Sequence, residues 1–218
     1  MKKIHILGGG TVFHIKNHLA LSAPAYGGTA KQLTTMCSEL WKETAVVETH
    51  LTKMCGGEME TVEDVDNKLK ELTKDPDTKV IVMSCAILDF VPFCAKHGKN
   101  WSFLPKLDKH SGRLTSSTND TLDIHCTSLK TKLLKQVRET RKDIFLVSFK
   151  ATCGSTPQEM YEAGLRLCKE SSCNLVMVND AVSRLNMIVT PEEAAYHETR
   201  DRKAVLMALA EISYLRSH

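Results

Sequence analysis

Three short stretches put groups able to bind a ligand or move a proton where strands would end. They are Gly8-Gly9-Gly10-Thr11, the run from Ser84 to Asp89, and Asn179-Asp180. Glycines after a strand let the backbone approach a phosphate and offer free N–H groups to its charge. The same glycines also suit a tight strand-to-loop turn. Ser84, Cys85 and Ala86 are small enough to let a ligand lie against the backbone, and Asp89 supplies a carboxylate just beyond them. That carboxylate either serves chemistry or caps a turn.

Two competing signals are weaker. A dinucleotide fingerprint needs G-x-G-x-x-G opening straight into a helix, and Phe13 stands at the third glycine position. Glu48, the candidate ribose ligand of an oxidoreductase, lies far beyond the spacing of about 20 residues which that role demands. His14 and His18, four apart, could share a helix face as metal ligands. No Glu or third ligand accompanies them, so no metal site is predicted.

The elements that must hold these groups follow from periodicity. Strands are predicted at 3–7, 44–50, 80–83, 122–127, 144–150, 175–178 and 187–190, several of them unbroken apolar runs of the kind buried on both faces. Helices are predicted at 29–42, 61–72, 133–140, 157–170 and 201–215, with Pro157 just inside the start of the fourth. Strands alternating with helices mean an α/β fold: a Rossmann-like, mostly parallel sheet with helices on both faces, in a single domain over 1–218. In such sheets ligands sit at the carboxyl ends of strands, where all three polar stretches fall. Residues 12–27 read as a long loop after the first strand. Pro92 is expected to stop any regular element, and a basic, irregular, flexible loop is predicted over about 94–121, suited to a lid over an anionic substrate.

The chain has 218 residues, 42% of them hydrophobic, and a net charge of only +3. It can bury a sizeable core, and no apolar run approaches the roughly 20 residues of a membrane span. Lys and Arg are scattered, and a basic face with interleaved aromatics is missing, so neither nucleic acid nor membrane is an expected partner. The eight cysteines show no C-x-x-C pair, which favours reduced, mostly buried thiols in a cytoplasmic protein.

Six motifs in register resemble the phosphopantothenoylcysteine synthetases of coenzyme A biosynthesis. They are Gly9-Gly10-Thr11, Ser84 through Pro92, Arg113 through Ser117, Leu129 through Lys132, Val147 through Ala151, and Val178-Asn179-Asp180. The resemblance implies a two-step ligation in which the carboxylate of 4′-phosphopantothenate attacks the α-phosphate of CTP or ATP, with Mg²⁺. The amine of cysteine then displaces the nucleotide from the acyl-nucleotide. It further implies nucleotide contacts from Gly9, Gly10, Thr11, Cys85, Ala86, Asp89, Phe149, Asn179 and Asp180, and a homodimer.

The sequence departs from the family at three places. The Asn-bearing loop after the first strand is replaced by Leu21 through Ala25, leaving Asn17 and His18 as displaced substitutes. Arg113 takes the place of the flexible-loop lysine that serves the amide-forming step, with Lys106 and Lys109 nearby. Arginine keeps the charge but cannot surrender its proton at workable pH. Arg166 and Lys169 approach the place of the triphosphate-binding lysines, while Ser171 and Ser172 stand where basic residues are expected. The alternatives are a non-catalytic nucleotide-binding relative and a nicotinamide-dependent oxidoreductase.

Overall fold

A computed structural model describes residues 1–97, 99–103, 107–113, 121–129 and 133–217. Its centre is a seven-stranded sheet built from β1 (Lys2–Gly10), β4 (Ala45–Leu51), β5 (Thr78–Ala86), β9 (Phe145–Thr152), β10 (Leu175–Asp180), β11 (Asn186–Val189) and β12 (Ala195–Thr199). The spatial order is β12-β11-β10-β9-β5-β1-β4. The five strands from β4 to β10 are parallel; β11 and β12 are antiparallel additions at one edge.

Strand alternation divides the core in two. Ile4, Ile6, Val80, Val82, Val147 and Met177 face α1 (Gly28–Leu40) and α5 (Arg202–Arg216), whose Leu33, Met36, Leu206 and Leu209 cover them. Leu7, Ile81, Met83, Leu146 and Val178 face the other way, under α2 (Val62–Lys74), α3 (Leu133–Thr140) and α4 (Pro157–Ser171). Burial of this kind, at about 25 cal/mol per Å² of apolar surface, is the main stabilising contribution. Two helix starts are fixed locally. Thr61 with Asp64, and Thr156 with Glu159 behind Pro157, form reciprocal capping boxes that satisfy otherwise orphaned N–H groups.

The connections differ from the sequence reading. Residues 12–22 are not a loop but a hairpin, β2 (Val12–Lys16) with β3 (Leu19–Ser22). Phe13, Ile15, Leu19 and Leu21 alternate apolar and pack with Ala95, Leu107 and Ile124. His14 and His18 therefore share no helix face.

The expected irregular insertion opens within a three-stranded sheet, with β6 (Phe90–His97) between β7 (Asn100–Phe103) and β8 (Leu122–Ser128), while residues 107–113 hold no strand or helix. Pro92 does not end the chain's regular course, because it pairs with Cys126 on one side only. β7 joins from Cys94 onward, after a register shift. The missing N–H thus falls outside the part of the strand that is paired on both sides.

Candidate functional site

The parallel strands do not all stay together at their carboxyl ends. β5 and β9 pair from Val80↔Phe145 to Met83↔Ser148 and no further. Beyond that point β5 stays with β1 through Gly10↔Ala86, and β9 stays with β10 through Asp180↔Thr152. The two pairs separate and open a crevice at the strand ends, the usual place for a ligand in an open α/β sheet. On the face covered by α1 and α5, alternation brings Gly8, Ser84, Phe149 and Asn179 to this edge. Among the described residues the Asn179 side chain makes no hydrogen bond, and it is half-buried.

Helix α1 begins here. Its N-cap, Gly27, has φ of 70° and gives no side-chain cap, and nothing stands within 4 Å of where a Cβ on Gly28 would be. The first N–H groups of α1 therefore present the positive end of the helix dipole to open space. Arg202, at the start of α5, reinforces it. Its guanidinium donates to Thr29 Oγ1 at 3.0 Å and to Asn186 Oδ1 at 2.9 Å, and lies 6.0 Å from the Phe149 ring. Burial lowers the Arg202 pKa, though a guanidinium remains charged at any workable pH. Asn186 is itself fixed by donating to the Arg184 and Thr199 carbonyls. An uncapped helix start, a held guanidinium and an aromatic face suit a phosphorylated aromatic ligand such as a nucleotide.

The predicted glycines lie at the carboxyl end of the first strand, within it rather than after it. β1 continues through Gly8–Gly10, and the space of the missing side chains is filled by the chain itself. A Cβ on Gly9 would meet Thr52 Oγ1 at 2.1 Å, and one on Gly10 would meet Ala23 O at 2.1 Å and Ala25 N at 2.7 Å. Gly9 thus admits the Thr52 and Cys55 side chains, and Gly10 admits the backbone of residues 23–25. Thr11 is fully buried; its hydroxyl donates to Ala86 O at 3.1 Å and accepts from Leu88 N at 2.9 Å, so it shapes the segment leading to Asp89. Cys85 points to the opposite face from Ser84 and Ala86, and burial pushes its thiol up to about 12. Asp89 is exposed at the strand end, and among the described residues its carboxylate has no partner.

Asp180 is buried, and its carboxylate is committed within the chain. Oδ1 accepts from Val182 N, Ser183 N and Ser183 Oγ; Oδ2 accepts from Ser155 N and Thr152 Oγ1. Those donors, the Ser183 backbone foremost, hold its pKa well below the usual carboxylate range. It organises the turns that end β9 and β10.

Lys169 is on the wrong edge of the sheet. It lies in the last turn of α4 and pairs with Glu193 at 2.5 Å, beyond the end of antiparallel β11, so both mark the amino edge of the parallel strands. Arg166, a turn earlier on α4, is exposed. Arg113 is exposed. Asn17 is exposed at the hairpin tip; its N–H donates to Ser111 O at 3.3 Å and its side chain contacts His18. Lys106, residues 114–117 and residues 130–132 lie outside the described residues.

A cavity of about 850 Å³ adjoins the same edge on the α2 side. His14 lies 3.0 Å from Glu60, which also takes Lys53 at 2.9 Å and Lys109 at 3.8 Å. The Lys53 hydrogen bond is the leading influence that lowers the Glu60 pKa.

The sequence reading missed Arg202, Thr29 and Asn186. The only signal was indirect: Gly27-Gly28-Thr29 opens a helix without a capping side chain.

No protein-family model matches the chain, and no curated protein matches it by sequence. Solved structures do. The chain superimposes on the DNA/pantothenate metabolism flavoprotein from Streptococcus pneumoniae with a TM-score of 0.77 at 16% identity, covering 97% of this chain and 98% of that one. The C-terminal domain of the coenzyme A biosynthesis bifunctional protein CoaBC matches with a TM-score of 0.65 at 14% identity, covering 98% and 95%. A mutant of Cab2 in complex with phosphopantothenate-cysteine matches with a TM-score of 0.63 at 11% identity, covering 99% and 88%. Over nearly its whole length, the chain therefore has the fold shared by these proteins of pantothenate and coenzyme A metabolism.

Proposed function

We propose that the protein is a nucleotide-dependent acid–amine ligase that joins 4′-phosphopantothenate to cysteine through an acyl-nucleotide, with CTP or ATP as co-substrate. The observation that carries this reading is the open start of α1 with Arg202 held between it and the Phe149 ring, at the crevice where β5 and β9 part. It lies within a fold whose solved examples include a complex with phosphopantothenate-cysteine.

The residues act mainly by binding and orienting. The α1 N–H groups and Arg202 neutralise phosphate charge as it develops on the leaving pyrophosphate. Phe149 offers a ring to the base. Asn179 offers an amide to the sugar or acyl group. Thr11 holds the Ala86–Leu88 backbone in place behind Asp89.

Mg²⁺ fits this site modestly. It binds through one or two carboxylates plus substrate phosphates, and Asp89 is the exposed carboxylate at the edge, Asp180 being fully committed. When bound, Mg²⁺ offsets triphosphate charge. Arg113 then orients an anionic intermediate rather than carrying a proton. A homodimer and a cytoplasmic setting complete the proposal; among the described residues, no helix is long and apolar enough to cross a membrane.

The test is pyrophosphate release by the purified protein with Mg²⁺, 4′-phosphopantothenate and either nucleotide, with and without cysteine. Cysteine-dependent release is the expected result, and the nucleotide that works identifies the co-substrate. The inward commitment of Asp180 and the remoteness of Lys169 favour a second reading, a binding relative without turnover. Nucleotide binding with no pyrophosphate release would select it.

A further inference from the structure

Away from the crevice, the last two strands of the sheet, β1 and β4, bring together groups that the proposed ligation does not use. His5 on β1 lies opposite Glu48 on β4, and His50 follows two residues along β4, so all three side chains stand on the α2 face. At about 3.3 Å per residue, His5 lies some 16 Å along β1 from Gly10. His5 Nδ1 is 3.1 Å from His50 Nε2 and 3.5 Å from Glu48 Oε2, and His50 Nε2 is 3.9 Å from Glu48 Oε2. Ligands 2.0–2.1 Å from a tetrahedral zinc ion stand about 3.3 Å from one another. The three separations bracket that value.

The tautomer of His5 is settled by its neighbour. Thr78 Oγ1 donates to Leu72 O at 2.8 Å, so toward His5 Nε2, 3.1 Å away, it must accept. His5 therefore carries its proton on Nε2 and turns the Nδ1 lone pair toward His50 and Glu48. A carbonyl–hydroxyl–imidazole chain of this kind is how proteins orient a metal-binding histidine. Burial encloses one side of the cluster and leaves the other open. The His5 side chain is 1% exposed, His50 17% and Glu48 40%, which leaves room for a water ligand on the Glu48 side.

We propose that His5 Nδ1, His50 Nε2 and Glu48 form a zinc site joining β1 to β4, with water as the fourth ligand. Without metal, His50 shares its Nε2 proton with His5. On binding, His50 shifts its proton to Nδ1 and both imidazoles stay neutral. A mixed nitrogen and oxygen donor set of this kind suits zinc, and Irving–Williams preferences admit copper as a competitor. The ion would link the first strand to the edge strand, with its water-held position left open to exchange.

The experiment uses the full chain with exposed Cys126 and Cys153 changed to serine, so that surface thiols take no metal. The probes are zinc, followed by calorimetry and thermal melting, and cobalt(II), followed by its visible spectrum. The expected results are one zinc per chain and a rise in Tm of about 5–10 °C at a hundredfold excess over Kd. Glu48→Gln and His50→Asn should each weaken binding at least about tenfold. Glu48 is well exposed, so Glu48→Gln keeps the test decisive if His50→Asn disturbs folding. Failure to bind micromolar zinc, unchanged affinity in both variants, or a cobalt spectrum with thiolate charge-transfer bands would overturn the site.

Discussion

Arg202 Nη2 and Thr29 Oγ1 lie 3.0 Å apart although 173 positions separate them in the chain. That hydrogen bond joins the starts of α1 and α5 and sets a cation beside an uncapped helix end. Arg202→Ala should weaken nucleotide binding about tenfold or more and cost about 1–2 kcal/mol of stability through the lost hydrogen bonds. Arg202→Lys keeps the charge but not the fork, and should recover only part of the binding. Titration with nucleotide alongside urea unfolding checks both. Full affinity in Arg202→Ala would remove Arg202 from the ligand site.

Asp180→Asn should lower the unfolding midpoint before it affects ligand affinity, because the carboxylate accepts from both turns at the ends of β9 and β10. Its depressed pKa means that its stabilising effect is present above the unfolded carboxylate value and is lost as pH falls toward the folded one. A variant with unchanged melting but no nucleotide affinity would show that the carboxylate meets the ligand instead.

Gly10→Ala should destabilise the protein by about 1–3 kcal/mol, since the new methyl meets backbone atoms that cannot rotate away. Gly28→Ala, in open space, should leave melting nearly unchanged while crowding any bound phosphate. Parallel melts and nucleotide titrations of the two variants separate packing from binding.

Stability of the metal-free protein should fall as pH drops from about 6.5 toward 4. Burial first, and then His50, lowers the His5 pKa to about 4 from 6.5, so in that window the unfolded chain binds the extra proton. Glu48, Asp75 and Lys3 also act on His5, and Lys68 and Glu71 act on His50. Replacing His5 with Gln should flatten this part of the pH profile. A slope unchanged in His5→Gln would assign it to other groups.

Thiol titration should find Cys126 and Cys153 reactive in the native protein, both being exposed. Cys37, Cys168 and Cys173 should react only on unfolding, since burial raises each thiol to about 12. Native-state modification of those three would contradict the packing.

The central sheet was legible because its strands are unbroken apolar runs such as Val80–Met83 and Leu175–Val178, with helices of clear period between them. The hairpin after β1 escaped notice because the alternation of Phe13 and Ile15, then Leu19 and Leu21, is only two residues deep on each side of its turn. Its apolar partners, Ala95, Leu107 and Ile124, come from far along the chain. Local sequence could not rank Asp89 against Asp180 either. The two differ in how many donors surround them: Ser183 is a local turn partner of Asp180, but Ser155 and Thr152 meet it only after folding. Lys169 was misplaced because proximity to β10 in sequence does not say at which edge of the sheet a residue lies. Arg202 gave no local signal, and Thr29, at the opposite end of the chain, gave only the indirect one of a helix opened by two glycines.

The strand order also bears on how the protein is made. β4, β1 and β5, with α1 and α2, all lie within the first 86 residues, so this half of the sheet can close on the ribosome as soon as it emerges. The exposed edge of β5 must then wait through synthesis of the small sheet and α3 before β9 arrives to cover it. During that interval a nascent apolar edge is available to chaperones, and a pause in translation would prolong its exposure.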